Sequence, residues 1–391
     1  MLISRYKKKG RLCFMIIDIS DEKFKKIFSD KRLHLPIRWN NNDFADSLKI
    51  LFEIYLNQVE KEQSLWDHSR TIKVNSQKIR RVCNLLHITV KHYLNGFPAK
   101  AFTTFKTLMS LLEENPLKTD QKSITEQLAI KDNYTLNLYR VTCVSENSLY
   151  NRKRVFHTPY YLRSKVSTSR YSIAGFPSLY LGTSLELCCE EVHYNPHEQF
   201  ALASRFQIER NYANNNTDIK VIELAIKPQD FLWDNDTNNY YITNDNIIKK
   251  RIRRISSHLL NSPSIRSAYL LWYPLIAACS FIRVNKKDPF AAEYIIPQLM
   301  MQWVRSQLEP TKDSNKKLIG IRYFSCASEK SSDMGFNYVF PASGVQTNNS
   351  FCPILTKAFI LTKPYYIHEY YNTWDCESVL NNDSDLRIVE E

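Results

Sequence analysis

Arg170, Tyr180 and Glu191 fall within one stretch of 22 residues, around a strand-to-helix junction. Ser178–Leu181 is a short apolar piece that reads as a strand, and Gly182-Thr183-Ser184 reads as a turn. Ser184 is then a good N-cap, with Glu186 in the first turn, for a helix running through Leu185, Cys188 and Val192. Helical spacing from Ser184 places Leu187 or Cys188 and Glu191 on one side, so Glu191 can face the strand end. A carboxylate, an arginine and a tyrosine gathered there suit an anionic ligand whose reacting centre develops positive charge.

The elements around this junction divide the chain. Asp43 to Gln63 repeats Phe44, Leu48, Leu51 and Tyr55 at helical spacing, capped by Asn42 or Asp43. Further helices are expected over Ser76–Leu94, closed by Asn95-Gly96, and over Ala99–Glu114, closed by Asn115-Pro116. Thr135–Val144 alternates polar and apolar residues, with its phase shifting at Tyr139-Arg140. Val221–Ile226, Gly320–Phe324 and Tyr338–Phe340 read as strands, and the Asn-rich stretches 211–217 and 234–247 as surface insertions. The expected organisation is a helical domain over 1–117, a linker over 118–134, a mixed domain over 135–375 and a polar tail over 376–391. The fold class is therefore α+β, with an all-α N-terminal domain ahead of mixed sheets and helices.

Composition narrows the chemistry. With 7 Gly in 391 residues, no two separated by a single residue, the chain holds neither a Rossmann G-x-G-x-x-G turn nor a Walker A loop. Any nucleotide is therefore held without a glycine cradle. The net charge of +13 favours a polyanion or a phosphate-bearing partner. The basic clusters Lys7–Lys9, Lys78 with Arg80-Arg81, and Lys249–Arg254 have no accompanying nucleic-acid motif, which makes nucleic acid a weaker expectation. Nine scattered Cys form no C-x-x-C pair and read as reduced, buried thiols. The longest apolar run, Ala268–Ile282, is too short for a membrane helix and contains Pro274, so it reads as a buried core segment. The expected location is the cytoplasm, with no membrane partner.

The motifs together resemble the RES domain, a toxin family named for its Arg, Glu and Ser. Leu138-Tyr-Arg140-Val is similar to its opening strand. Arg170-Tyr171, Tyr180-Leu-Gly-Thr-Ser184-Leu and Glu191-Val192 are similar to its central block. Glu293-Tyr-Ile-Ile-Pro-Gln298 through Trp303 resembles the helix before the last motif. Gly320-Ile-Arg-Tyr-Phe-Ser325 with Gly335-Phe-Asn337 resembles the closing strand. The landmarks cover roughly residues 135 to 345.

The resemblance implies an NAD⁺-consuming enzyme of ADP-ribosyltransferase-like fold, holding NAD⁺ in a cleft between two small sheets. It would cleave the nicotinamide–ribose bond by hydrolysis or phosphorolysis, with no metal. By position it makes Glu191 the catalytic carboxylate, Ser325 the active-site serine, and Tyr180 a contact to nicotinamide or ribose. Arg170 and Arg140 become ligand-binding arginines. Glu190 adjoins Glu191, but the spacing from Tyr180 favours Glu191. The 134 residues from Glu191 to Ser325 exceed those of compact members, and Ser328 is the alternative serine. A helix-turn-helix antitoxin is the implied protein partner.

Two other readings come from the same residues. Cys188-Cys189, His193 and His197 suggest zinc, but Pro196 breaks the helix that would align the histidines. Arg81 and His87 have the spacing of HEPN-type ribonucleases, which makes an RNA-directed or regulatory binding module without NAD⁺ turnover the alternative function.

Overall fold

The computed structural model describes residues 20–40, 43–64, 70–113, 125–127, 136–145, 151–210, 212, 220–232, 263–285, 287–307, 319–342, 350–370 and 372–389. The Asn-rich stretches (residue 212 apart) and two of the basic clusters, 7–9 and 249–254, lie outside the described residues.

The N-terminal helices are α1 (Asp21–Phe28), α2 (Phe44–Ser64), α3 (Arg70–Leu94) and α4 (Pro98–Glu113). Their apolar faces bury Phe28, Leu48, Tyr55, Leu86 and Phe105 in the same core cluster that holds Tyr269, Tyr273 and Leu275 of α6 (Pro263–Ala278). Two tyrosines tie the regions through buried hydroxyls. Tyr55 donates to the Leu270 carbonyl at 2.6 Å, and Tyr273 donates to that of Leu33 at 2.8 Å. The apolar run from Ala268 is thus the partner of the N-terminal helices, and one core crosses the boundary expected at residue 117.

The remaining elements in chain order are β1 (Thr125–Gln127), β2 (Leu138–Val144), β3 (Ser178–Gly182), α5 (Leu185–Glu191), β4 (Phe200–Ile208) and β5 (Lys220–Leu224). After α6 come α7 (Ile295–Gln307), β6 (Ile319–Phe324), β7 (Phe336–Pro341), α8 (Pro353–Ala358), β8 (Phe359–Leu361), β9 (Tyr365–Tyr366) and α9 (Thr373–Asn382). The fold is α+β, as the sequence predicts. The strands run β1-β5-β6-β7-β3-β2-β4-β8, with β9 also on β4; β5–β6 is parallel and the other pairs are antiparallel. Two small sheets were expected, whereas the described strands form one path. Its middle joint is weak, because β2 and β3 pair only through Tyr139 and Gly182 and then diverge.

Both faces of the β2–β4 end are covered, which explains the phase shift in β2. Leu138, Leu202 and Phe206 face the large core, while Tyr139, Val141, Ala201 and Ala203 face a second, small core. α5 and α9 supply Leu185, Cys188, Cys189, Cys376 and Leu380 to that small core. The segment expected as a polar tail from 376 therefore begins inside a packed helix. It then returns to the sheet, where Arg387 and Leu361 exchange two backbone hydrogen bonds of 3.1 and 2.9 Å. Two ion pairs, the buried Arg322–Glu223 and the half-buried Lys227–Asp333, neutralise charges at the β5–β6 end.

Candidate active site

A cavity of ≈ 610 Å³ opens where β2 and β3 part, a volume within the range of small-molecule sites. Arg140 crosses the gap. It leaves β2 one residue after the Tyr139–Gly182 pair and donates from Nη1 to the Tyr180 carbonyl of β3 at 3.1 Å. Its Nε is buried with no hydrogen-bond partner among the described residues, and burial lowers the pKa of the group.

Arg170 is presented by a tight turn, in which the Ser169 amide donates to Ser172 Oγ at 3.0 Å and that hydroxyl donates back to the Ser169 carbonyl at 2.9 Å. The Tyr180 hydroxyl lies 2.6 Å from Ser169 Oγ and also donates to the Tyr171 carbonyl, so it pins both neighbours of Arg170. Burial raises the Tyr180 pKa, which keeps the phenol a donor. The Arg170 guanidinium stacks 4.9 Å over the Tyr294 ring and donates from Nη1 to the Cys279 carbonyl at 3.2 Å. Among the described residues that is its one hydrogen bond, leaving most of its fork for a ligand.

Glu191 is the last residue of α5, whose N-terminus is clamped to the chain entering β7. Ser184 Oγ accepts the Leu187 amide at 3.2 Å and donates to the Met334 carbonyl at 3.0 Å. Thr183 and Phe336 exchange two more bonds, of 3.0 and 2.9 Å. The approach needs Gly335, with φ +154°, because a Cβ there would fall 2.5 Å from Thr183 Oγ1. The clamp sets Gly182 opposite Asn337 in the β3–β7 register, and Asn337 Nδ2 donates to Glu191 Oε1 at 2.6 Å. The carboxylate is exposed and lines the cleft; Glu190 does not line it.

The structure thus brings Arg140, Arg170, Tyr180 and Glu191 to one cavity. It does not bring the serines there. Ser325 is 0% exposed, and its Oγ accepts the Ala327 amide at 3.2 Å. Ser328 closes a turn with Ser331. Neither lines the cleft, where Cys326 and Ala327 stand instead. Burial pushes the Cys326 thiol up to about 11 against the pull of Arg170, so it is protonated at neutral pH. Sequence reasoning missed Asn337 as a partner of Glu191, and missed Tyr294, Tyr323 and Arg283 in the lining. Asn337 carried a signal only as part of the Gly335-Phe-Asn337 landmark.

The residues of the other readings are dispersed. His193 has φ +53°, beyond the end of α5, while Cys188 and Cys189 are buried in the small core. Arg81 is exposed and His87 half-buried on α3; six residues along a helix sets them about 120° apart. No helix among the described residues is long and apolar enough to cross a membrane.

The chain is 27% identical to a protein of Bacillus subtilis (strain 168) named "Putative toxin YopC", over 84% of this chain and 67% of that protein. No family model matches the sequence, and no solved structure matches it.

Proposed function

We propose that this chain is an NAD⁺-consuming toxin or defence effector of the RES type that cleaves the nicotinamide–ribose bond. The carrying observation is that Glu191, held by Asn337, opens into the same cleft as Arg140, Arg170 and Tyr180. The toxin name of the Bacillus subtilis relative agrees with the effector half of this reading.

NAD⁺ is the substrate, and each residue has a task that its surroundings favour. The Arg170 fork binds pyrophosphate oxygens, replacing the backbone cradle that seven glycines cannot build. Tyr323 offers aromatic surface to a pyridinium, while the Tyr294 ring is taken up by the Arg170 and Arg283 guanidiniums. When the C1′–N bond breaks, its electron pair leaves with nicotinamide, so the departing group is neutral and needs no general acid. The ribose becomes oxocarbenium-like, and the Glu191 carboxylate stabilises it electrostatically. Water or phosphate then adds an oxygen to C1′. When water adds, its proton passes to Glu191 or to solvent. Tyr180 acts by pinning the Arg170 turn, and no step falls to Ser325 or Ser328. This reading places the protein in the cytoplasm, silenced by a helix-turn-helix antitoxin.

The test is to incubate purified protein with NAD⁺ and follow free nicotinamide. Glu191→Ala is expected to lose about 100-fold or more, the scale of removing a preorganised charge from a reaction centre. Arg170→Ala is expected to raise KM. No nicotinamide release from the parent protein, or full activity in Glu191→Ala, overturns the reading.

A further inference from the structure

A second cavity, of ≈ 280 Å³, lies between the start of α2, the end of α3, Asn285 and residues 288–293. Its lining pairs rings with carboxylates: Trp39, Phe44 and Phe290 with Asp43, Asp288 and Glu293. On a chain of net charge +13, three acidic groups at one aromatic pocket are out of keeping with the surface as a whole.

The carboxylates differ in how far they are satisfied. Asp43 Oδ1 accepts the Asp46 amide at 2.9 Å, and Asp288 Oδ1 accepts Asn285 Nδ2 at 2.7 Å. Glu293 is 3% exposed yet makes no hydrogen bond or ion pair with any described residue. Glu293 lines the cavity, so a cation entering there would meet a carboxylate that has no competing partner among the described residues. Among the described residues none of the three is ion-paired. Two of the rings are fixed: Trp39 donates from Nε1 to the Ile282 carbonyl at 3.0 Å, and its ring lies 5.3 Å from that of Phe44 at 69°.

We infer that this cavity is a binding site for a small organic cation, a guanidinium or alkylammonium group. Aromatic faces favour such a group over a metal ion. Among the described residues no set of three His, Cys, Asp or Glu is placed to hold a metal ion, so the carboxylates do not converge as ligands. The volume admits one side chain or a small amine. The pocket backs onto the cleft through one segment. Asn285 and Asp288 line the pocket, and their carbonyls accept the Arg283 guanidinium, which lines the cleft; Glu293 precedes Tyr294, which stacks on Arg170.

The experiment is ligand-observed NMR on the full chain with ethylguanidinium, butylammonium, neutral ethylurea and Mg²⁺. Saturable binding of the two organic cations is expected, with ethylurea failing to compete. Glu293→Gln keeps the volume and removes the charge, and is expected to weaken binding about tenfold or more, the loss of a charge-assisted hydrogen bond. Phe290 is 54% exposed, so Phe290→Ala leaves the fold intact and is expected to weaken binding several-fold. Undiminished binding in both variants, equal binding of ethylurea, or saturation by Mg²⁺ alone overturns the inference.

Discussion

Asn337 offers the sharpest test of how the cleft is built. It sits on β7, 4% exposed, and donates one hydrogen bond of 2.6 Å to Glu191 Oε1. Replacing it with Ala removes the donor while leaving the carboxylate in place. A hydrogen bond to a charged acceptor contributes about 1.5–3 kcal/mol when both groups are buried. Glu191 is exposed, so water takes up part of the loss, and about 1 kcal/mol is the figure to expect. On the proposed reaction that is roughly a fivefold fall in kcat/KM for NAD⁺, carried by kcat, since Asn337 orients the carboxylate and Arg170 does the binding.

Asn337→Asp separates positioning from packing. It sets a second carboxylate against Glu191, and like charges at that distance raise the pKa of the pair. The acidic limb of the pH–rate profile then moves up, by one unit or more, and activity recovers partly at higher pH. The assay is nicotinamide release from pH 5 to 9 with both variants and the parent. An unchanged profile in Asn337→Asp, or an Asn337→Ala effect confined to KM, refutes a role for this amide in holding the Glu191 carboxylate for the proposed reaction.

Two further outcomes follow from the packing. Gly182→Ala places a Cβ 2.7 Å from Cys188 Sγ at the single joint between β2 and β3, and about 1–3 kcal/mol of stability is expected to be lost in urea unfolding. Cys188→Ala removes the opposing sulfur, so the double variant is expected to recover at least half of that loss; purely additive losses refute the clash. His157 is fully buried, with Nδ1 2.8 Å from the Thr158 carbonyl and Nε2 accepting the Cys352 amide at 2.9 Å, and burial lowers its pKa to about 4. Because the folded value lies below the unfolded one, near 6.5, the contribution is present above pH 6.5 and is lost as pH falls toward 4. It amounts to about 3 kcal/mol at most. His157→Gln is expected to flatten the stability profile in that window, and an equally steep profile in the variant excludes this histidine as the cause.

What could be read from the sequence was local, and what could not depended on partners far along the chain. Ser184 capped its helix because an N-cap bond closes within three residues, and the helix formed over Leu185–Glu191 as the spacing predicts. The longest strand, β4, escaped notice because Ser204, Arg205 and Gln207 interrupt its apolar run. All three are buried, and their partners Thr362, Asp383 and Asn137 lie 68 to 178 residues away. The serine expected in the cleft failed for a related reason. A residue just past a strand can turn either way, and here Cys326 takes the cleft side while Ser325 closes its own turn in the core. Glu191 and Asn337 show the converse. They stand 146 residues apart and meet only because the Thr183–Phe336 clamp sets the register of β3 on β7. The candidate chemistry was legible because Arg170, Tyr180 and Glu191 are close in sequence, whereas their cleft was not. It exists because β2 and β3 share one residue pair and then separate, and no local pattern in either strand records that parting.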